Sequence, residues 1–180
     1  MAGAPVELTS LADLPAVAEP DETSETFRDN ARLKALFYDR HRAASGGAAA
    51  LTVAEDSGLV IDALGGEPGV HSARFLGADA TYAQRFDQIL CRLGAGQSRT
   101  ARFVCALCAV RDGQVVFETQ GAVEGEIAPA PSGAAGFGYD PIFYYPAYGS
   151  TLAEVSEDEK LRVAHRGQAF RALRSWIRSS

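Results

Sequence analysis

Cysteine is scarce in this sequence: Cys91, Cys105 and Cys108 are the only three. The count is odd, and they do not combine with His41, His71 and His165 in any metal-like arrangement, so neither a disulfide framework nor a zinc site is expected. Cys105 and Cys108 form a CxxC, but the surrounding run Ala101 to Val110 reads as a strand, which turns the two thiols to opposite faces. They are read as reduced thiols. Long apolar runs are also missing; none approaches the ~20 residues of a membrane helix. The first residues have no basic start and carry Glu7 and Asp13 within their apolar stretch, which fails as a signal peptide, so a cytoplasmic location is expected. Positive charge is in deficit, with 17 Lys and Arg against 23 Asp and Glu, a net −6. No global field draws such a chain onto a nucleic acid, and a polyanionic ligand would need a local basic pocket.

What is present describes a folded domain. Hydrophobic residues make up 47% and charged residues 22% of the 180, enough to bury a core, and residues 1–180 are read as one domain without internal repeats. Val6 to Thr9 reads as a short strand, followed by an acidic, proline-punctuated loop from Pro15 to Ser24. Phe27, Ala31, Lys34, Ala35 and Tyr38 recur at helical spacing, with Ser24 or Thr26 as cap and Ser45-Gly46-Gly47 as stop. The apolar run Ala48 to Ala54 reads as a buried strand that ends at Glu55-Asp56-Ser57-Gly58, and Leu59 to Ala63 reads as a second short strand. A helix is expected from about Thr81 to Leu93. Thr100 to Arg111 and Val115 to Gly121 are read as strands joined by the hairpin signal Asp112-Gly113, with Glu124 to Ile127 extending the antiparallel part. Pro129 to Pro146 is an irregular Gly-, Pro- and aromatic-rich stretch. Ser156 and Glu159 form a capping box, and Ala169 to Ile177 is an amphipathic last helix.

Carboxylates gather at Asp21-Glu22 and at Glu55-Asp56. Hard divalent cations prefer oxygen ligands, and Mg2+ takes one or two protein carboxylates beside phosphate oxygens, so two separated acidic sites suit a phosphate-ester enzyme. Asp56-Ser57-Gly58 equally suits an ordinary turn. Lys34, Lys160, His165 and Arg166 are the basic candidates: phosphate or base contacts on one reading, solvated helix faces on the other. Phe137 and Tyr139, within Gly136-Phe137-Gly138-Tyr139-Asp140-Pro141, suit either a stacking platform for a nucleobase, with Asp140 accepting from its edge, or a buried aromatic plug.

Read in order, Glu22 to Ala35, Ala54-Glu-Asp-Ser-Gly-Leu59, Ala63 to Phe75, Ala101 to Leu107, Gly136 to Phe143, Thr151 to Val155, and Glu159-Lys160 with His165-Arg166-Gly167 are similar in wording to one family. The chain resembles the Ham1-type inosine triphosphate pyrophosphatases over about Leu8 to Trp176. The resemblance implies an α/β fold with a long, mixed, twisted central sheet, helices on both sides, and two lobes around a nucleotide cleft, usually in a homodimer. It implies hydrolysis of ITP, dITP or XTP to the monophosphate and pyrophosphate with Mg2+ as cofactor. Asp56 would be the catalytic base or a metal-bound activator of water, and Glu22, or its neighbour Asp21, would help hold the metal. Lys34 and Lys160 would contact phosphates, Ser57 would lie beside the substrate, and Phe137, Gly138, Tyr139, Asp140, His165 and Arg166 would hold the base. The family opens with a strand and a phosphate-binding loop of Thr or Ser, any residue, Asn, two residues and Lys. This chain opens with Met1-Ala-Gly-Ala-Pro5, so the expected domain is N-terminally shortened. A non-catalytic nucleotide-binding or dimerising relative is the second function carried forward, and a generic phosphatase, which leaves the Phe137 loop unexplained, the third.

Overall fold

The computed structural model describes residues 6–13 and 17–179. Helix α1, Phe27–Ala44, starts where the Thr26 side chain accepts from the Asp29 backbone N–H and stops at Ser45, as its capping and spacing predict. One five-stranded sheet is formed by β1, Thr52–Ile61; β2, Thr100–Arg111; β3, Gln114–Ile127; β4, Phe143–Tyr145; and β5, Ser150–Thr151. They lie in chain order. The turn between β2 and β3 places Asp112 at φ 51° and Gly113 at φ 76°, the paired left-handed geometry that a two-residue hairpin needs. Helix α2, Tyr82–Arg92, begins at a capping box of Thr81 and Gln84. Helices α3, Glu157–Val163, and α4, His165–Ser179, are separated by the extended residue Ala164.

β2 is buried on both faces from Phe103 to Val110, apart from its edges in sequence. Its even-numbered residues Ala106, Cys108 and Val110 pack against Ala31 and Ala35 of α1, four residues apart on one helix face. Its odd-numbered residues Cys105, Leu107 and Ala109 pack against Ala169 and Leu173 of α4. Helices therefore cover both sides of the sheet, and the two CxxC thiols do face opposite ways. Burial pushes the Cys108 thiol up to about 11 and the Cys105 thiol higher still, which leaves both as inert thiols. Beyond residue 104 of β2, toward its start, a second and larger core takes over, built on Leu59, Ile61, Phe103, Phe143, and Phe86 and Ile89 of α2. Glu55 to Gly58 pair with Leu107 to Val104, at the junction of the two cores.

The α/β architecture expected from the resemblance is present. Among the described residues every strand pairing is antiparallel, where a mixed sheet was expected. Residues 6–10 form no strand; Val6 and Leu8 are exposed, and no described strand offers them a ladder. Thr52 to Ile61 is one continuous strand, so Glu55-Asp56-Ser57-Gly58 is neither a strand end nor a turn. Four residues of turn-like composition stay extended because each has a register partner on β2. Likewise Gln114 to Ile127 is one strand and not two.

Asp39 of α1, 2% exposed, ties this half together. Its carboxylate accepts from Arg42 Nη2 at 2.9 Å, Thr52 Oγ1 at 3.0 Å and the Gly113 N–H at 2.8 Å. Burial works to raise its carboxyl, but those three bonds and the Arg42 charge outweigh it and hold it below the ordinary range. A depressed folded value means stability present above the unfolded value and lost as pH falls through the folded one. Asp39→Ala should cost about 3 kcal/mol in urea unfolding at neutral pH, and the gap to the parent should narrow as pH drops below about 4.

Candidate active site

Adjacent residues of β1 point to opposite faces, so Asp56 and Ser57 belong to two different surroundings. On the α1 side, Asp56 is 6% exposed. Its Oδ1 accepts from Lys34 Nζ at 3.0 Å and its Oδ2 from Asn30 Nδ2 at 3.2 Å. Lys34 lies one helical turn beyond Asn30, so both reach the same carboxylate. Lys34 also donates to Glu22 Oε1 at 2.7 Å. Glu22 sits in the loop before α1, which Asn30 pins by accepting from the Ser24 N–H at 3.0 Å and donating to the Ser24 carbonyl at 3.3 Å. Arg74 grips Glu22 from outside, at Oε2 and at the backbone carbonyl.

The charges in this cluster are unequal in their comfort. Burial pushes the Asp56 carboxyl up, and Lys34 and Asn30 only partly oppose it. Burial would also raise Glu22, but Lys34 and Arg74 outweigh it and hold Glu22 below its ordinary value. Lys34 is held above the usual lysine value because its two carboxylate bonds exceed its burial cost. It is a fixed ammonium, and Asp56 is the more basic of the two carboxylates.

On the other face of β1 opens a cleft between Ser57, Phe103, Phe137 and Arg166. Ser57 Oγ accepts from Arg166 Nη2 at 3.1 Å, and the same nitrogen lies 2.9 Å from Glu55 Oε1. Phe137 is 61% exposed whereas Tyr139 is 4% exposed, so the glycine-flanked loop contains both a platform and a plug. Tyr139 spends its hydroxyl on the Ser72 carbonyl at 2.8 Å. Lys160 Nζ lies 4.2 Å and the Arg166 guanidinium 5.4 Å from the centre of the Phe137 ring. Lys160 also pairs with Asp140, whose other contact is the Phe137 N–H. Gly136 turns at φ 76°, and a side chain there would strike the Asp140 carboxylate, so only glycine allows this tight loop. His165 stacks on Phe103 with centroids 5.1 Å apart. Burial, then the charges of Arg166 and Lys160, push it down to about 4, so it is a neutral imidazole at physiological pH.

The structure thus brings Glu22, Lys34 and Asp56 into one cluster, and Ser57, Phe137, Gly138, Tyr139, Asp140, Lys160, His165 and Arg166 around one cleft. Neither lysine is a merely solvated cation. Asp21 joins neither group; it is exposed and has no hydrogen bond or ion pair among the described residues. Glu55, grouped with Asp56 in the sequence, faces Arg166 instead; sequence reasoning missed Asn30, Arg74 and Tyr82, which lines the cleft. Helical spacing of Asn30 against Lys34 was the only available signal for any of them.

The description "Ham1 family" fits residues 1–176. A dITP/XTP pyrophosphatase of an Exiguobacterium species is 46% identical over 171 residues, 95% of this chain and 84% of that relative. Another from Geobacillus kaustophilus is 44% identical, covering 93% and 80%. Among solved structures, a HAM1 protein from Coxiella burnetii matches with a TM-score of 0.83 at 37% identity, covering 91% of this chain and 82% of that one. A nucleoside-triphosphatase / dITP/XTP pyrophosphatase from Mycobacterium abscessus matches at 0.76 and 40%, covering 93% and 83%.

Proposed function

We propose that this chain, which belongs to the Ham1 family, hydrolyses non-canonical purine nucleoside triphosphates, dITP and XTP among them, to the monophosphate and pyrophosphate. The observation that carries the reading is the pairing of an exposed, cation-flanked Phe137 ring with a cluster of two carboxylates and a lysine across one strand. The first suits a nucleobase, and the second suits a polyphosphate and the water that attacks it.

The roles follow from position. Asp56 takes the proton of the attacking water, its Oδ1 held in place by Lys34, the positioning that a general base needs. Asn30 fixes the other carboxylate oxygen. Lys34 supplies a permanent charge to a phosphate oxygen and balances the two carboxylates until substrate arrives. Phe137 stacks on the base. Arg166 Nε is buried without a hydrogen-bond partner among the described residues, so an acceptor such as the O6 of a 6-oxo purine relieves a cost that an adenine amino group would leave standing.

Mg2+ fits the donor set. Glu22 Oε1 and Asp56 Oδ1 both converge on one ammonium nitrogen, at 2.7 and 3.0 Å, so the backbone already aims two hard oxygens at a cationic position. Two carboxylates match the small protein share of a magnesium shell, and Glu22 and Asp56 would hold the ion, which supplies charge neutralisation of the triphosphate when bound. Asp21 lies outside this convergence. A homodimer and a cytoplasmic setting complete the reading; no helix among the described residues is long and apolar enough to cross a membrane.

The test is pyrophosphate release from ITP, dITP, XTP, GTP and ATP with Mg2+ and again with EDTA. Release from the first three, at least about tenfold above GTP and ATP and lost with EDTA, is the expected outcome. Absence of release while ITP raises the thermal midpoint would establish the non-catalytic nucleotide-binding alternative instead.

A further inference from the structure

The cleft contains two phenols, and only one is committed. Tyr139 is buried and spends its hydroxyl on the Ser72 carbonyl. Tyr82, the first residue of α2, is 40% exposed, and its hydroxyl has no hydrogen-bond partner among the described residues. Its ring is nonetheless fixed. The Tyr139 ring meets it edge-on, with centroids 5.3 Å apart at 86°. On it also lies the Arg85 guanidinium, 4.9 Å from the ring centre. Arg85 is 3% exposed and has no carboxylate partner among the described residues; it is anchored by its bonds to the carbonyls of Phe75 and Gly77. A buried cation is attracted to the face of the ring and helps hold it in place. The hydroxyl faces the Phe137-Gly138 turn, since a side-chain carbon built on Gly138 would lie 3.7 Å from Tyr82 Oη.

A held ring with an unspent polar tip in a binding cleft is a pre-organised contact, whose ordering is already complete before the ligand arrives. The ligand part it meets follows from what the other groups are suited to. Asp140 and Arg166 beside Phe137 suit a base edge, and Lys160 and Lys34 with its carboxylates suit phosphates. A neutral hydroxyl that both donates and accepts suits the remaining piece, which is a sugar hydroxyl. We infer that Tyr82 is a substrate-contacting residue whose hydroxyl hydrogen-bonds the sugar of the bound nucleotide. The inference rests on the nucleotide reading of the cleft proposed above.

Tyr82→Phe removes the hydroxyl and keeps the ring, so the edge contact and the Arg85 contact survive and the thermal midpoint should stay within about 1 °C. The test compares parent and variant on ITP, dITP and 2′,3′-dideoxyinosine triphosphate. The variant should raise KM for ITP about three- to tenfold with kcat unchanged, the loss of one neutral hydrogen bond, and should leave KM for the dideoxy nucleotide unaltered. If dITP behaves as ITP does, the contact is to the 3′-hydroxyl; if dITP behaves as the dideoxy compound does, it is to the 2′-hydroxyl. Equal changes on all three nucleotides, or none on any, would overturn the sugar contact while leaving the pyrophosphatase reading in place. A parent chain that releases pyrophosphate from none of them overturns both.

Discussion

Asp56→Asn should lower kcat for pyrophosphate release by about 10²- to 10⁴-fold, the usual contribution of a positioned general base, with a smaller change in KM. The substitution keeps the shape of the side chain, so Lys34 and Asn30 remain within reach of the new amide. It also removes a charge that burial disfavours. Because the folded state raises this carboxyl, the protonated form is the better-tolerated one, and stability tied to Asp56 is larger below its ordinary value and falls as pH rises through the folded value. A neutral amide should therefore not unfold the protein at neutral pH, and circular dichroism of the variant should match the parent. Asp21→Asn, at an exposed carboxylate outside the cluster, should leave kcat within about twofold. An Asp56→Asn chain that keeps more than a tenth of parental kcat would remove Asp56 from the role of base.

Gly121→Ala should cost about 3 kcal/mol of stability, as overpacking a rigid contact does. The methyl would collide with the His165 carbonyl and lie 2.9 Å from Gln168 Cβ and 3.1 Å from the Ala169 nitrogen. These are backbone atoms or sit next to backbone, so no flexible side-chain end can yield; α4 itself must lift from β3. That motion loosens the contacts of Ala169 and Leu173 with the sheet and the Gln168 bond to the Ala122 carbonyl. It also moves His165 and Arg166, the first two residues of α4, so the variant should raise KM for the nucleotide as well as lower the urea midpoint. Gly94→Ala is the control: nothing lies within 4 Å of its side-chain position and its backbone is not left-handed, so it should be neutral within about 0.5 kcal/mol. A Gly121→Ala protein as stable as the Gly94→Ala one would mean that α4 does not seat on this glycine.

The two variants mark the difference between what is local and what is not. Asp56 and the motif around it stand out in the sequence because Glu-Asp-Ser-Gly is an unusual end to an apolar run. The position of that motif within an unbroken strand did not, because its own composition argues for a turn and only the ladder with Val104 to Leu107 overrides it. Gly121 read as the end of a strand, whereas its importance comes from a helix 44 residues later in the chain, beginning at His165. The assembly of Lys34 with Glu22, and of Lys160 with Asp140, likewise depends on which helix face meets the sheet. Arg74 reaches Glu22 across 52 residues, and no spacing rule connects them.

By itself the sequence determined α1, α2 and the capped start of α3, the Asp112-Gly113 hairpin, the opposite facing of Cys105 and Cys108, and the residue types of the site. Those signals are carried by neighbours within about one or two helical turns or by the two-residue period of a strand. Tertiary structure alone decided that Asp56 faces Lys34 while Ser57 faces Arg166, that Phe137 is exposed while Tyr139 is buried, and that Tyr82 joins the cleft. Each of those outcomes is settled by burial and pairing with residues remote in the chain, and the free energy of such contacts is not written in any local stretch of it.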